Sequence, residues 1–98
     1  MVKVLLLLIN SIILCAELPY VVVLGIAQDG GSPHTGCEQV CCKTLWLKKT
    51  EEKVSSIGII DPQSKLSWII DATPDFPEQL HTITKEHKTE LAGIFLTH

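Results

Sequence analysis

The sequence has 98 residues, a formal net charge of −3 and 46% hydrophobic residues. That length suits one small domain. Binding to nucleic acid needs a basic stripe that neutralises phosphates, and here the lysines between Lys43 and Lys53 are interleaved with Glu51 and Glu52. The composition therefore argues against a nucleic-acid-binding protein.

Residues 1–16 have the pattern of an export leader. Lys3 supplies an early positive charge, and the apolar run VLLLLINSIILCA follows it at residues 4–16. A basic start before an apolar core of about 7–15 residues is typical of a secretory signal peptide, whereas a membrane-spanning helix needs about 20 apolar residues. We therefore predict a cleaved signal peptide, with a retained membrane anchor as the alternative, and Cys15 leaves acylation open. Either leader implies a periplasmic or secreted protein that meets the membrane only through this segment.

The next segment is predicted to be a strand followed by a tight loop and a helix. YVVVLGIA, residues 20–27, is continuously apolar and rich in β-branched residues, which favours a buried strand. AQDGGSPHTG, residues 27–36, contains three glycines and a proline, so the backbone must turn sharply there. Residues 37–49 are ambiguous, and we predict a short helix within them.

An antiparallel hairpin is predicted to follow. SSIGII, residues 55–60, and LSWIIDA, residues 66–72, alternate in polarity as half-buried strands do. Between them, aspartate followed by proline at Asp61-Pro62 suits the first two positions of a type I turn. The pair of strands is therefore expected to be joined directly by this turn.

A second helix and a last strand complete the predicted elements. Asp75 followed by Glu78 matches a capping box, and Phe76, Leu80 and Ile83 fall on one face of the helix that it would begin. A polar stretch then leads to an apolar strand at residues 92–96.

This order of elements predicts the fold class. Apolar strands with helices between them are typical of a layered α/β or α+β fold, in which the sheet is covered on both faces. Two helices are too few to cover both faces. We therefore expect a layered sheet that is incomplete within this chain.

Three cysteines form the first group of candidate site residues: Cys37, Cys41 and Cys42. Zn²⁺ takes four ligands in tetrahedral geometry, and a glycine-rich loop can aim several thiolates at one point. A fourth ligand would be His34 or a residue from outside this chain. An odd number of thiols is equally consistent with one disulfide and one free cysteine, so the spacing leaves both open.

Asp71 and His98 form the second group. Each follows an apolar strand, and open α/β sheets bind ligands beyond the carboxyl ends of their strands. Taken alone, His98 is more simply a surface histidine, and Asp71 is more simply a carboxylate that caps the turn at Thr73.

Taken together, the motifs resemble the start of a metallo-β-lactamase-fold protein. The segments LGIAQDGGSP, GCEQVCC, SSIGII, IIDATPDFPEQL and IFLTH occur here in the order found in the branch that contains coenzyme PQQ synthesis protein B and a related phosphonate-pathway phosphodiesterase. The resemblance implies that residues 20–98 are the N-terminal half of an αββα sandwich. It also implies a metal-dependent hydrolase with two catalytic Zn²⁺ ions, a small-molecule substrate and, in this branch, one structural Zn²⁺.

The resemblance assigns a role to Asp71 and to His98, which follow the two strands. IFLTH is similar to the strand that leads into the motif His-x-His-x-Asp-His, so His98 matches the first metal-ligating histidine. Asp71 matches an aspartate that supports the metal loop without binding the metal.

The cysteine loop departs from the pattern of the branch. Relatives bind the structural zinc through Cys-x-Cys-x-x-Cys, and Cys37 and Cys42 match the ends of that motif. Gln39 stands at the middle position, so Cys41 would have to take the place of the missing thiol. The resemblance therefore favours zinc without fixing the set of ligands.

Two functions are consistent with the sequence. The first is the N-terminal fragment of an exported metal-dependent hydrolase, inactive as 98 residues because it would lack the other metal ligands and the other half of the sandwich. The second is a small exported or anchored protein that binds a metal or a cofactor without catalysis. Metal identity stays open, because sites of imidazole and carboxylate accept Zn, Fe or Mn.

Overall fold

The computed structural model describes residues 17–98, which form a four-stranded sheet and two helices. The strands are β1 (Tyr20–Gly25), β2 (Ser56–Asp61), β3 (Leu66–Ile70) and β4 (Glu90–Phe95), and the helices are α1 (Val40–Lys48) and α2 (Phe76–His81), which continues into a π-helical turn, Thr82–Glu86. The predicted leader, residues 1–16, lies outside the described residues. Within residues 17–98, no helix has the length and apolarity needed to cross a membrane.

The four strands lie in the order β1-β2-β3-β4. β1 pairs with β2 and β2 with β3 in antiparallel fashion, whereas β4 joins β3 in parallel. A parallel pair needs a crossover, which α2 and the π-helical turn supply. The hairpin closes where Lys65 N donates a hydrogen bond to Asp61 O over 2.9 Å. The predicted order of elements and the layered α+β class are therefore confirmed.

One face of the sheet carries the hydrophobic core. Ile60, Ile69 and Ile83 are almost completely buried, and Leu24 packs with them from β1. The predicted apolar face of α2 and the turn after it is confirmed, because Phe76 and Leu80 lie against the same cluster as Ile83. Each buried isoleucine stabilises the fold by about 1.5–3 kcal/mol relative to an exposed one.

The opposite face of the sheet is apolar and is not covered by residues 17–98. Strand pairing places Val21 beside Ile59 and Ile70 beside Phe95 on this face. Val21 and Phe95 remain more than half exposed. The expectation that the helices of this chain do not cover both faces of the sheet is confirmed for the described residues.

The predicted capping box at the start of α2 is wrong in its side-chain contacts. Asp75 is the N-cap residue but makes no side-chain cap hydrogen bond. Its carboxylate oxygen Oδ2 instead accepts from Val54 N at 2.8 Å. Glu78 does not reach back to Asp75 but pairs with Lys53. Both carboxylates therefore tie α2 to the segment that enters β2.

Candidate functional site

The ends of β3 and β4 bring Asp71 and His98 to one edge of the sheet. The two strands are parallel and pair Ile70 with Phe95, so their carboxyl ends meet. Asp71 N donates to Phe95 O over 2.7 Å and extends this pairing past the end of β3. The two residues predicted from strand ends are thus close together, as expected for the ligand-binding edge of such a sheet.

Asp71 fixes the backbone and side chain of Thr97. Thr97 N donates to Asp71 Oδ1 over 2.7 Å, and the Thr97 hydroxyl donates to Oδ2 over 2.6 Å. The hydroxyl and the amide of Thr97 hold the pKa of the Asp71 carboxyl below its ordinary value of 3.8. Asp71 therefore anchors the residue before His98, and the alternative of a cap on the turn at Thr73 is wrong.

His98 lies between Thr97 and a residue of the glycine loop. Its Nδ1 is 3.1 Å from the Thr97 hydroxyl oxygen and 3.9 Å from Asp71 Oδ1. Its Nε2 is 3.2 Å from Asp29 Oδ2. Asp29, Asp71 and His98 line a cavity of about 220 Å³. The contact with Asp29 was not predicted from the sequence, because Asp29 belongs to the loop and no local pattern connects it to a strand 69 residues later.

The three cysteines lie together in the loop and at the start of α1. Their sulfur atoms are all within 4.8 Å of one another, so this group could hold a metal ion. In this structure Cys37 and Cys42 form a disulfide, and Cys41 is a free, exposed thiol 3.9 Å from the Cys42 sulfur. Trp46 donates its indole N–H to Cys37 O over 3.0 Å and holds the loop against α1.

Among solved structures, the described fold matches Zn²⁺-bound PqqB from Methylobacterium extorquens with a TM-score of 0.64 and 26% sequence identity. The match covers 80% of this chain and 29% of that protein, so this chain spans under a third of the PqqB length. The chain is PqqB-like and has part of the metallo-β-lactamase fold. No protein-family model and no curated protein matches it.

The cysteine group of this PqqB-like chain fits a metal only in part. Sulfur atoms bound to one tetrahedral Zn²⁺ at about 2.3 Å would be about 3.8 Å apart, which is compatible with three thiols grouped within 4.8 Å. Two of the three are joined as a disulfide, and a disulfide sulfur is not a thiolate ligand. His34, proposed as a fourth ligand, is not in the group; its Nδ1 lies 3.1 Å from Thr35 O.

The His98 edge fits a metal through its hydrogen bonds. A histidine that binds a metal through one ring nitrogen usually gives the N–H of the other to a fixed acceptor. The Thr97 hydroxyl oxygen is such an acceptor for His98 Nδ1, because the hydroxyl proton of Thr97 is donated to Asp71. Within residues 17–98, this PqqB-like edge therefore has one imidazole that is linked to Asp71 through Thr97.

Proposed function

We propose that this chain belongs to an exported metal-dependent hydrolase of the metallo-β-lactamase fold, in which His98 is a ligand of catalytic Zn²⁺. The observation that carries the proposal is the chain of contacts from Asp71 through Thr97 to His98 at the carboxyl edge of the sheet. The solved relative with the matching fold was crystallised with Zn²⁺, which supports the choice of metal.

The chemistry follows from the residues at this edge. A bound Zn²⁺ would supply a hydroxide nucleophile at neutral pH by lowering the pKa of its water. His98 would bind through the neutral imidazole, while Asp71, through Thr97, holds the ring in the ligand orientation. The cavity beside His98 leaves room for a small-molecule substrate.

Residues 17–98 supply one histidine to this edge, whereas a catalytic zinc site takes three protein ligands. We therefore expect these 98 residues alone to bind the metal weakly and not to hydrolyse a substrate. The leader at residues 1–16 is the reason for proposing export to the periplasm or the medium, with membrane contact confined to that leader.

The test is a Zn²⁺ titration of the oxidised chain, with Cys15 and Cys41 alkylated so that no thiol competes. Nitrogen chemical shifts of the imidazole rings report which histidine binds. The His98 resonances are expected to shift, and His98→Gln should abolish that binding. His81→Gln is the matched control, because His81 is an exposed histidine on α2 and should leave the titration unchanged. Equal binding by all three proteins would contradict the proposal.

A second candidate function is binding of a metal by the cysteine loop without catalysis. The observation that favours it is the grouping of three sulfur atoms, a larger set of ligands than the single imidazole at the sheet edge. The reduced chain would then bind Zn²⁺ through Cys37, Cys41 and Cys42. If Cys41→Ser removes all binding by the reduced chain and His98→Gln removes none, this function is favoured over the hydrolase.

A further inference from the structure

We propose that Asp29, from the glycine loop, is a second protein ligand to the metal ion bound by His98. This inference rests on the proposed function, because it needs the metal site at the edge of the sheet. It assigns a role to a residue that lies 69 positions before His98 and meets it through the fold.

The first argument concerns which ring nitrogen of His98 carries a proton. The Thr97 hydroxyl gives its proton to Asp71, so the Thr97 oxygen can meet His98 Nδ1 only as an acceptor, and Nδ1 must carry a proton. In a neutral imidazole the other nitrogen, Nε2, then has a lone pair and no proton. That lone pair faces the Asp29 carboxylate oxygen at 3.2 Å. A lone pair and a carboxylate oxygen come this close when a cation joins them, and either a proton or a metal ion at this position would do so.

The second argument is distance. A nitrogen and an oxygen that bind one metal ion at about 2.1 Å each, with an angle of about 90–110° between them, are about 3.0–3.4 Å apart. The separation of 3.2 Å between Nε2 and Asp29 Oδ2 lies in that range. The same two atoms can therefore coordinate one ion with little movement of either side chain.

The third argument is that the position of Asp29 is fixed by the backbone around it. Ala27 is buried, its N–H donates to Lys53 O over 2.9 Å, and its carbonyl accepts from Ser55 N over 2.8 Å. Two residues later the chain turns, with Gly31 N donating to Gln28 O over 2.8 Å. Gly31 has a φ of 84°, a conformation that glycine adopts without strain. Asp29 thus lies in a turn that is tied to the entrance of β2.

Asp71 does not compete for this role. Both of its oxygens accept hydrogen bonds from Thr97, and its nearer approach to the imidazole is on the Nδ1 side, at 3.9 Å. The two aspartates therefore act on opposite ring nitrogens. Asp71 orients the imidazole from one side, and Asp29 faces the nitrogen that would bind the metal from the other.

The experiment uses Mn²⁺, which prefers oxygen and nitrogen ligands to thiolates, so that the cysteine loop does not interfere. Paramagnetic broadening of amide signals in the full 98-residue chain is measured during the titration. In the wild type, the signals of Asp29 and His98 are expected to broaden first. Asp29→Asn should raise the Mn²⁺ concentration needed at His98 by about tenfold or more, whereas Asp29→Glu, which keeps the carboxylate, should retain most of the affinity.

Asp61→Asn is the matched control, because Asp61 is also a hydrogen-bonded aspartate but lies in the hairpin turn. It should bind Mn²⁺ as the wild type does. If Asp29→Asn binds like the wild type while His98→Gln does not bind, the role of Asp29 is refuted and the proposed metal site stands. If the wild type shows no broadening at His98, or if His98→Gln behaves like the wild type, the metal site itself is refuted.

Discussion

The sheet with α2 and the cysteine segment, residues 26–53, are held together in different ways. In the sheet, Ile69 and Ile83 have no exposed surface, and they join the strands to α2. In the cysteine segment, α1 buries only Cys42, while Val40 and Leu47 are 83% and 85% exposed. Apolar burial scales with area removed from water, so it stabilises the sheet strongly and α1 very little.

The cysteine segment depends instead on a few specific links. Lys53 O accepts hydrogen bonds from Ile26 N and Ala27 N, and Glu52 N donates to Ser32 O over 2.7 Å, so the two ends of the segment are joined. Between these ends, the Cys37–Cys42 disulfide and the indole of Trp46 hold the loop. We therefore expect that α1 can unfold locally while the sheet stays folded.

The largest effect should come from a cavity in the sheet core. Ile69→Ala is expected to lower the free energy of unfolding by about 2–5 kcal/mol, because it removes a fully buried side chain and leaves a void. Leu47→Ala, the matched change on α1, should stay within about 0.5 kcal/mol of the wild type. Urea unfolding of both variants measures the difference. Similar losses for the two would mean that α1 packs as part of the core.

A smaller effect should come from the buried glutamine that joins α2 to the chain just after the cysteine segment. Gln79 donates to Val54 O over 2.8 Å and accepts from the Thr73 hydroxyl over 2.8 Å. Gln79→Ala should cost about 1–3 kcal/mol, because both partners lose their hydrogen bonds in a buried place. Gln63→Ala, in the exposed hairpin turn, is the control and should change stability little. An unchanged urea midpoint for Gln79→Ala would show that the link is not needed.

Loss of the disulfide should affect the cysteine segment alone. Cys37→Ser opens the loop closed by two cysteines with a sequence separation of 5, and the chain-entropy model gives such a cross-link about 2 kcal/mol. Hydrogen exchange should therefore quicken at the amides of α1 and remain slow at Ile60 and Ile69. Cys41→Ser, which removes a free thiol, is the control. Equally faster exchange in the sheet would contradict the separation of the two regions.

The sequence predicted the sheet better than it predicted the contacts that depend on the tertiary fold. The sheet was predictable, because β-branched runs and the Asp61-Pro62 turn act over a few residues. Alternation in β3 gave two faces, but only the packing of Ile83 with Ile69 shows which of them is buried. Local pattern assigned Asp75 to a capping box, whereas a tertiary partner, Val54 N, accounts for its carboxylate.

The candidate site was predictable only where it lies at strand ends. Asp71 and His98 follow two strands, and their roles came from resemblance to a family rather than from any local pattern. Asp29 could not be found in this way, because its contact with His98 depends on how the glycine loop crosses the edge of the sheet. The state of the cysteines was also open in the sequence, since a disulfide and a metal site use the same three thiols.

The smallest predicted effect is a dependence of the hairpin on pH. The Ser64 hydroxyl donates to Asp61 Oδ2 over 2.7 Å and Gln63 N donates to Oδ1 over 3.1 Å, and these bonds hold the pKa of Asp61 below its ordinary value of 3.8. A carboxylate with a depressed pKa in the folded state stabilises that state above its unfolded pKa, and the stabilisation is lost as pH falls through the folded pKa.

When the pH is lowered below 3.8, the urea midpoint of the wild type should therefore decrease. The midpoint of Asp61→Asn should decrease less, since this variant has no carboxyl group at position 61 to protonate. Asp71 titrates in both proteins, so only the difference between them reports on Asp61. Amide hydrogen exchange then tests the comparison between the two regions. Acid should speed exchange at Gln63 and Lys65 and leave exchange in α1 unchanged, because the turn belongs to the sheet. If α1 loosened together with the turn, the two regions would be one cooperative unit.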